Sequence, residues 1–158
     1  MLSILSLEED LTFLDKVSVH TSMDVVNEDK IILIRNDKDI VKARQCGREL
    51  AASLGFELTD LTLIATTISE LARNILSYAK HGEIDLKKTE NESSFGITIV
   101  ARDKGPGITD VDRVLRSGYS TSGNLGLGLP GVRKLMDDFK VETRDGQGTI
   151  ISVTKWKR

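Results

Sequence analysis

Residues 83–107 read EIDLKKTENESSFGITIVARDKGPG. Two apolar-bearing runs, 83–87 and 95–101, flank the polar turn TENESS (89–94), the pattern of two strands folded back on each other. The second run leads directly into Asp103 and then Gly105-Pro106-Gly107. An acidic side chain therefore stands at a strand end beside exposed backbone, where it can accept from an amino group. Glycines on either side of a proline let a flat ligand approach the main chain, and the proline stiffens the turn. Taken by itself, a plain turn explains the same three residues.

Outward from this hairpin the chain continues as helices and strands without strict alternation. KIILIR (30–35) reads as a short apolar strand. Asn36 or Asp37 can cap a helix with the stripe Ile40, Ala43, Gly47, Leu50 and Leu54, ended by Gly55. Thr59 or Asp60 is expected to open a longer helix through Leu61, Ile64, Ile68, Leu71, Ile75 and Tyr78, closed by Lys80, His81 and Gly82. Thr109 is expected to cap a short helix near DVDRVLR (110–116). Pro130 fits the first position of a helix carrying Val132, Leu135, Met136 and Phe139. KVETRDGQGTIISVTKW (140–156) reads as a second hairpin with a glycine-bearing turn. The expected class is α+β: a two-layer α/β sandwich whose mostly antiparallel sheet is covered by helices on one face.

Composition narrows the function. The 158 residues suit one globular domain with a real core. Twenty-two basic against 24 acidic residues give a net charge of −2, without the basic excess of a nucleic-acid binder. Cys46 stands with only His20 and His81, which provides neither a disulfide framework nor a metal-ligand cluster; a half-buried helix position suits it better than nucleophilic chemistry. The opening MLSILSLEEDLTFLDK (1–16) lacks a basic start and is interrupted by Glu8, Glu9 and Asp10, so neither a signal peptide nor a membrane span is expected. Ile4, Leu7, Leu11 and Leu14 do fall at helical spacing. Residues 1–28 are read as an N-terminal extension, an amphipathic helix packed on the domain or used for docking, and 29–158 as the domain itself.

Two further features bear on chemistry. Glu70 and Asn74, four apart on the long helix, share the flank beside its apolar stripe, so a carboxylate and an amide can point together into a space next to the core. Such a pair is usually only a solvated face. In NLGLGLPG (124–131), Gly126, Gly128 and Gly131 spell G-x-G-x-x-G. The polar run RSGYSTSG (116–123) precedes it where a dinucleotide site requires a strand. No G-x-x-x-x-G-K-[ST] loop and no H-R-D or D-F-G set is present. The helix start near Pro130 nevertheless offers free backbone N–H groups to an anion.

SELARN (69–74), DKGPG (103–107), GYSTSGNLGLGLPGVRKLMD (118–137) and GQGT (146–149) resemble, in order, the N box, the two glycine boxes and the final Gly-x-Gly-Thr of the GHKL ATPases, whose ATP-binding unit is the Bergerat fold. Within that superfamily the wording, from about Ile34 to the C-terminus, is similar to the switch serine/threonine kinases of the bacterial stressosome. The resemblance implies a cytoplasmic protein kinase that uses ATP and Mg²⁺ to phosphorylate STAS-domain scaffold or antagonist proteins in a stress response. Partner switching then leads it to activate a PP2C-type phosphatase. It implies no nucleic acid and no membrane as partners, and it leaves room for a homodimer. By the same resemblance Glu70 is the catalytic base, Asn74 holds Mg²⁺ and Asp103 accepts from the adenine amino group. Gly105, Gly107 and Thr149 complete the base pocket, and Ser122, Gly123, Gly126 and Gly128 surround the phosphates. Arg73 and Arg116 read as surface ion-pair formers, and Lys104 as solvent-facing. Two alternatives stay open: an anti-sigma-factor kinase of the same fold, and a noncatalytic ATP-gated interaction module.

Overall fold

The computed structural model describes residues 29–116 and 128–158. Five strands form one sheet, β1 (Lys30–Ile34), β2 (Gly82–Glu90), β3 (Phe95–Asp103), β4 (Asp138–Arg144) and β5 (Gly148–Trp156), in the order β1-β2-β3-β5-β4. All four pairings are antiparallel. Helices α1 (Asp37–Ser53) and α2 (Leu58–Ala79) cover one face, joined by the short α3 (Val111–Val114) and by α4 (Gly128–Leu135). This is the expected α+β two-layer sandwich.

Side-chain alternation builds the core. Ile32 and Ile34 of β1, Ile84 and Leu86 of β2, Ile97 and Ile99 of β3, and Ile151 and Val153 of β5 face the helices and are buried. They meet Ala43 and Leu50 of α1, Ile64, Ile68, Leu71 and Ile75 of α2, and Val132 of α4. Full burial of each large aliphatic side chain stabilises the fold by about 1.5–3 kcal/mol. Gly47 brings α1 close to α2, since a Cβ there would run into Ile68 Cδ1. Cys46 is half-buried against this core, as expected.

Local signals hold in some places and yield in others. Asn36 caps α1, its side chain accepting from Asp39 N at 3.2 Å, while the Asp39 carboxylate accepts from Arg35 N at 2.9 Å. The α2 cap is Glu57, without a side-chain bond, so Thr59 and Asp60 lie inside the first turn. Packing of the apolar stripe fixes that helix start more firmly than a polar cap does. The same helix ends at Lys80, with φ 67°, and Gly82 already belongs to β2. Asp110 rather than Thr109 caps α3, accepting from Arg113 N at 3.0 Å. Pro130 is the third residue of α4, and Phe139 falls on β4, where it pairs with Val153. Both hairpins are present; β2 and β3 run longer than read, leaving a turn in which Asn91 Oδ1 accepts from Ser93 N and Ser94 N.

Candidate functional site

The sheet order sets the first half of the site. Because β3 lies between β2 and β5, Asp103 pairs with Gly82 on one side and Thr149 on the other. It shares the helix-facing side of β3 with Ile99 and Ala101. Asp103 Oδ1 accepts from Gly105 N at 2.9 Å, which closes the Gly-Pro-Gly loop on the carboxylate and leaves Oδ2 for another donor. A Cβ on Gly105 would stand 2.7 Å from Ala79 Cβ, so the last turn of α2 rests on this loop. Gly107 has φ 79° and passes close to the Arg144 carbonyl, a path that a side chain would obstruct.

The loop is tied to the β4–β5 hairpin by Gly146 N donating to Pro106 O at 2.7 Å. A residue that sequence reading passed over holds the join. Thr143 Oγ1 accepts from Ile108 N at 2.8 Å, donates to Gly148 O at 3.2 Å and lies 3.1 Å from Thr149 Oγ1. Its only available signal was the register in which Thr143 opposes Thr149. Thr143→Val keeps the shape and leaves Ile108 N without its acceptor. The expected result is a loss of about 1–3 kcal/mol in stability, read as a lower denaturant midpoint at unchanged slope.

The second half lies along α2. Glu70 is buried, with its side chain 10% exposed. Arg73 Nη1 donates to Glu70 Oε1 at 2.8 Å, and Gly128 N, at the start of α4, donates to Oε2 at 3.3 Å. Arg73 thus forms an ion pair as read, but with Glu70 itself. Asn74 is half-buried one turn further along. From Ala79 at the Gly105 loop to Asn74 is about 7.5 Å along the helix axis, and from Asn74 to Glu70 about 6 Å more, at 1.5 Å per residue. Asp103, Asn74, Glu70 and Gly128 therefore follow one another in order along the α2 axis, from the strand end at Asp103 to the start of α4, and a helix N-terminus is suited to anions. Lys104 is exposed. Ser122, Gly123, Gly126 and Asn124 lie outside the described residues.

A cavity of about 1160 Å³ opens at this end of the sheet, lined by Asp103, Gly148 and Thr149 but also by Leu33, Glu83, Arg102 and Ile150. Those last four turn away from the helices, and Glu70 and Asn74 are absent from its lining. The cavity wraps round the sheet end onto the other face, so the line along α2, not this cavity, outlines the candidate site.

Residues 59–158 match the family described as histidine kinase-, DNA gyrase B-, and HSP90-like ATPase. The chain belongs to this ATPase family. The serine/threonine-protein kinase RsbT of Bacillus subtilis (strain 168) is 47% identical over 133 residues, covering 84% of this chain and 100% of that protein. An anti-sigma F factor of Caldanaerobacter subterraneus subsp. tengcongensis is 29% identical over 120 residues, covering 72% of this chain and 82% of the relative. The fold is shared with the crystal structure of the RsbU and RsbW domains of Rv1364c from Mycobacterium tuberculosis, at a TM-score of 0.56 and 16% identity, over 82% of this chain and 33% of that one.

Proposed function

We propose that this chain is a serine/threonine protein kinase that uses MgATP to phosphorylate STAS-domain stressosome proteins and, once released from them, activates a PP2C-type phosphatase in the cytoplasm. The observation that carries the reading is the ordered line along α2, from the Asp103 acceptor to the Glu70 carboxylate beside the start of α4. The 47% identity to a protein named as a serine/threonine kinase, across that protein's whole length, supports the activity. Among the described residues no helix is long and apolar enough to cross a membrane.

In this reading Asp103 Oδ2 accepts from the adenine amino group, with Gly105, Gly107 and Thr149 shaping the recess. The start of α4, where the Gly128 N–H is held by Glu70 Oε2, is assigned to the phosphates together with Ser122, Gly123 and Gly126. Asn74 offers a hard amide oxygen on the same flank as Glu70. One such donor suits Mg²⁺, which takes few protein ligands and completes its octahedron with phosphate oxygens and water. When bound, Mg²⁺ supplies charge neutralisation to the transferring phosphoryl group. Arg73 holds Glu70 Oε1, so Oε2 is the oxygen turned toward the glycine box. Glu70 accepts the proton of the attacking serine or threonine hydroxyl. The anti-sigma-factor relative keeps a second reading in view, an anti-sigma-factor kinase with the same pocket and another partner.

The test is to mix the protein with MgATP and a cognate STAS domain. Phosphoserine or phosphothreonine on the STAS domain, by mass spectrometry, should be followed by loss of the complex on size-exclusion chromatography. The added charge of roughly −1.5 to −2 repels a carboxylate-bearing pocket. Release in ATP without any phosphate on the partner would make the protein an ATP-operated gate instead. Phosphate appearing only when a sigma-factor antagonist is the substrate would select the second reading.

A further inference from the structure

The side of the sheet turned away from α1 and α2 has no described helix on it, and it carries exposed aliphatic side chains on either side of the ion pairs that Arg102 makes with Glu83 and Asp85. Ile31, Leu33 and Ile150 are 63%, 51% and 37% exposed there. Between them, Asp85 is only 4% exposed. Its Oδ2 takes Lys87 Nζ at 3.2 Å and Arg102 Nη1 at 3.3 Å, but Oδ1 has no hydrogen-bond partner among the described residues. A buried carboxylate oxygen without a donor is costly, and large exposed aliphatic side chains on a sheet face mark a surface that something covers.

We propose that residues 1–28 of this chain lie across that face, with the stripe Ile4, Leu7, Leu11 and Leu14 over Ile31, Leu33 and Ile150. Residue 28 leads almost directly into β1, the edge strand that carries Ile31 and Leu33. If residues 1–14 are helical, as their spacing predicts, they span about 21 Å. Five strands at about 4.8 Å spacing are about 19 Å wide, so one such helix crosses the sheet. Residues 15–28 supply more than enough length to turn back over it.

Charge agrees. Of 22 basic and 24 acidic residues, one and six fall in residues 1–28, so the segment carries a net −5 and the remainder, with 21 and 18, a net +3. Leu2, Ile4, Leu5, Leu7, Leu11, Phe13 and Leu14 within the first 14 residues also make the segment too apolar for a solvated tail. The Bacillus subtilis relative is matched over its whole length by 133 residues, which leaves about 25 of the 158 here without a counterpart in it. The covering is thus a property of this chain beyond the shared kinase unit. The length of chain directly ahead of β1 favours the chain itself over a second copy as the occupant.

Lys16 is the one basic residue of the segment, hence its one trypsin site. In the full chain its cleavage should run at least tenfold slower than in a free peptide of residues 1–28. Leu33→Asp, at a half-exposed position, should bring the rate close to that of the peptide while circular dichroism remains unchanged. Leu7→Asp combined with Leu11→Asp should do the same from the other side of the contact. Lys16 cut in the wild-type chain as fast as in the peptide would overturn the proposal. So would protection that rises with protein concentration and accompanies a dimer mass by light scattering, which would give the face to a second copy. Retained protection in both variants would show that the segment is held elsewhere.

Discussion

Glu70→Gln is expected to bind ATP close to wild type while transferring phosphate about 10²- to 10⁴-fold more slowly. The substitution keeps the size and one acceptor oxygen but removes the proton acceptor. It also changes the donor balance. Glu70 presents one oxygen to Arg73 Nη1 and the other to Gly128 N, whereas glutamine has a single acceptor oxygen. Arg73 can keep that oxygen, and the Gly128 N–H is then released toward the phosphates, so binding does not suffer. Calorimetry and single-turnover transfer to a STAS substrate measure the two quantities separately. Transfer at the wild-type rate would remove Glu70 as the base.

Asp103→Ala is expected to raise the Kd for ATP and ADP by about 10- to 100-fold. A hydrogen bond to a charged group contributes about 1.5–3 kcal/mol, and 1.4 kcal/mol is a factor of ten. The alanine variant loses both the acceptor for the adenine amino group and the one for Gly105 N, which Asp103 Oδ1 holds at 2.9 Å. Asp103→Asn divides these effects. Its oxygen still accepts from Gly105 N, and its amide nitrogen meets the adenine amino group donor to donor, so affinity should fall with the loop intact. Wild-type protein should bind GTP poorly, since guanine offers a carbonyl where adenine offers an amino group. Equal ATP affinity in wild type and Asp103→Ala would take Asp103 out of the base pocket.

Much of the candidate site is legible in the chain because its parts are local. Glu70 and Asn74 are one helical turn apart, and Asp103 with Gly105 and Gly107 is a strand end followed by a turn; short-range geometry fixes each group. Capping was less legible. Polar residues near a helix start offer several equivalent acceptors; packing chose Glu57 over Thr59 or Asp60, and a side-chain bond from Arg113 N chose Asp110 over Thr109. Phe139 fits a helical stripe in sequence but joins β4, where pairing with Val153 supplies both burial and ladder bonds.

By itself the sequence determined the layers and the chemical types: alternation set two hairpins, the 3.6-residue period set two long helices, and glycines fell where the main chain must approach a neighbour or a ligand. Only the tertiary structure decided which of these residues meet. Placing β3 between β2 and β5 sets Asp103 beside Thr149, 46 positions later in the chain, and makes Thr143 the post that joins the loop to the hairpin. Packing α4 on α2 brings Gly128 N to Glu70 across 58 residues, and the same strand order leaves Ile31, Leu33 and Ile150 on a face without a described helix. Contacts of that separation depend on strand order and on which face each helix buries. Periodicity and local propensity carry no information about either.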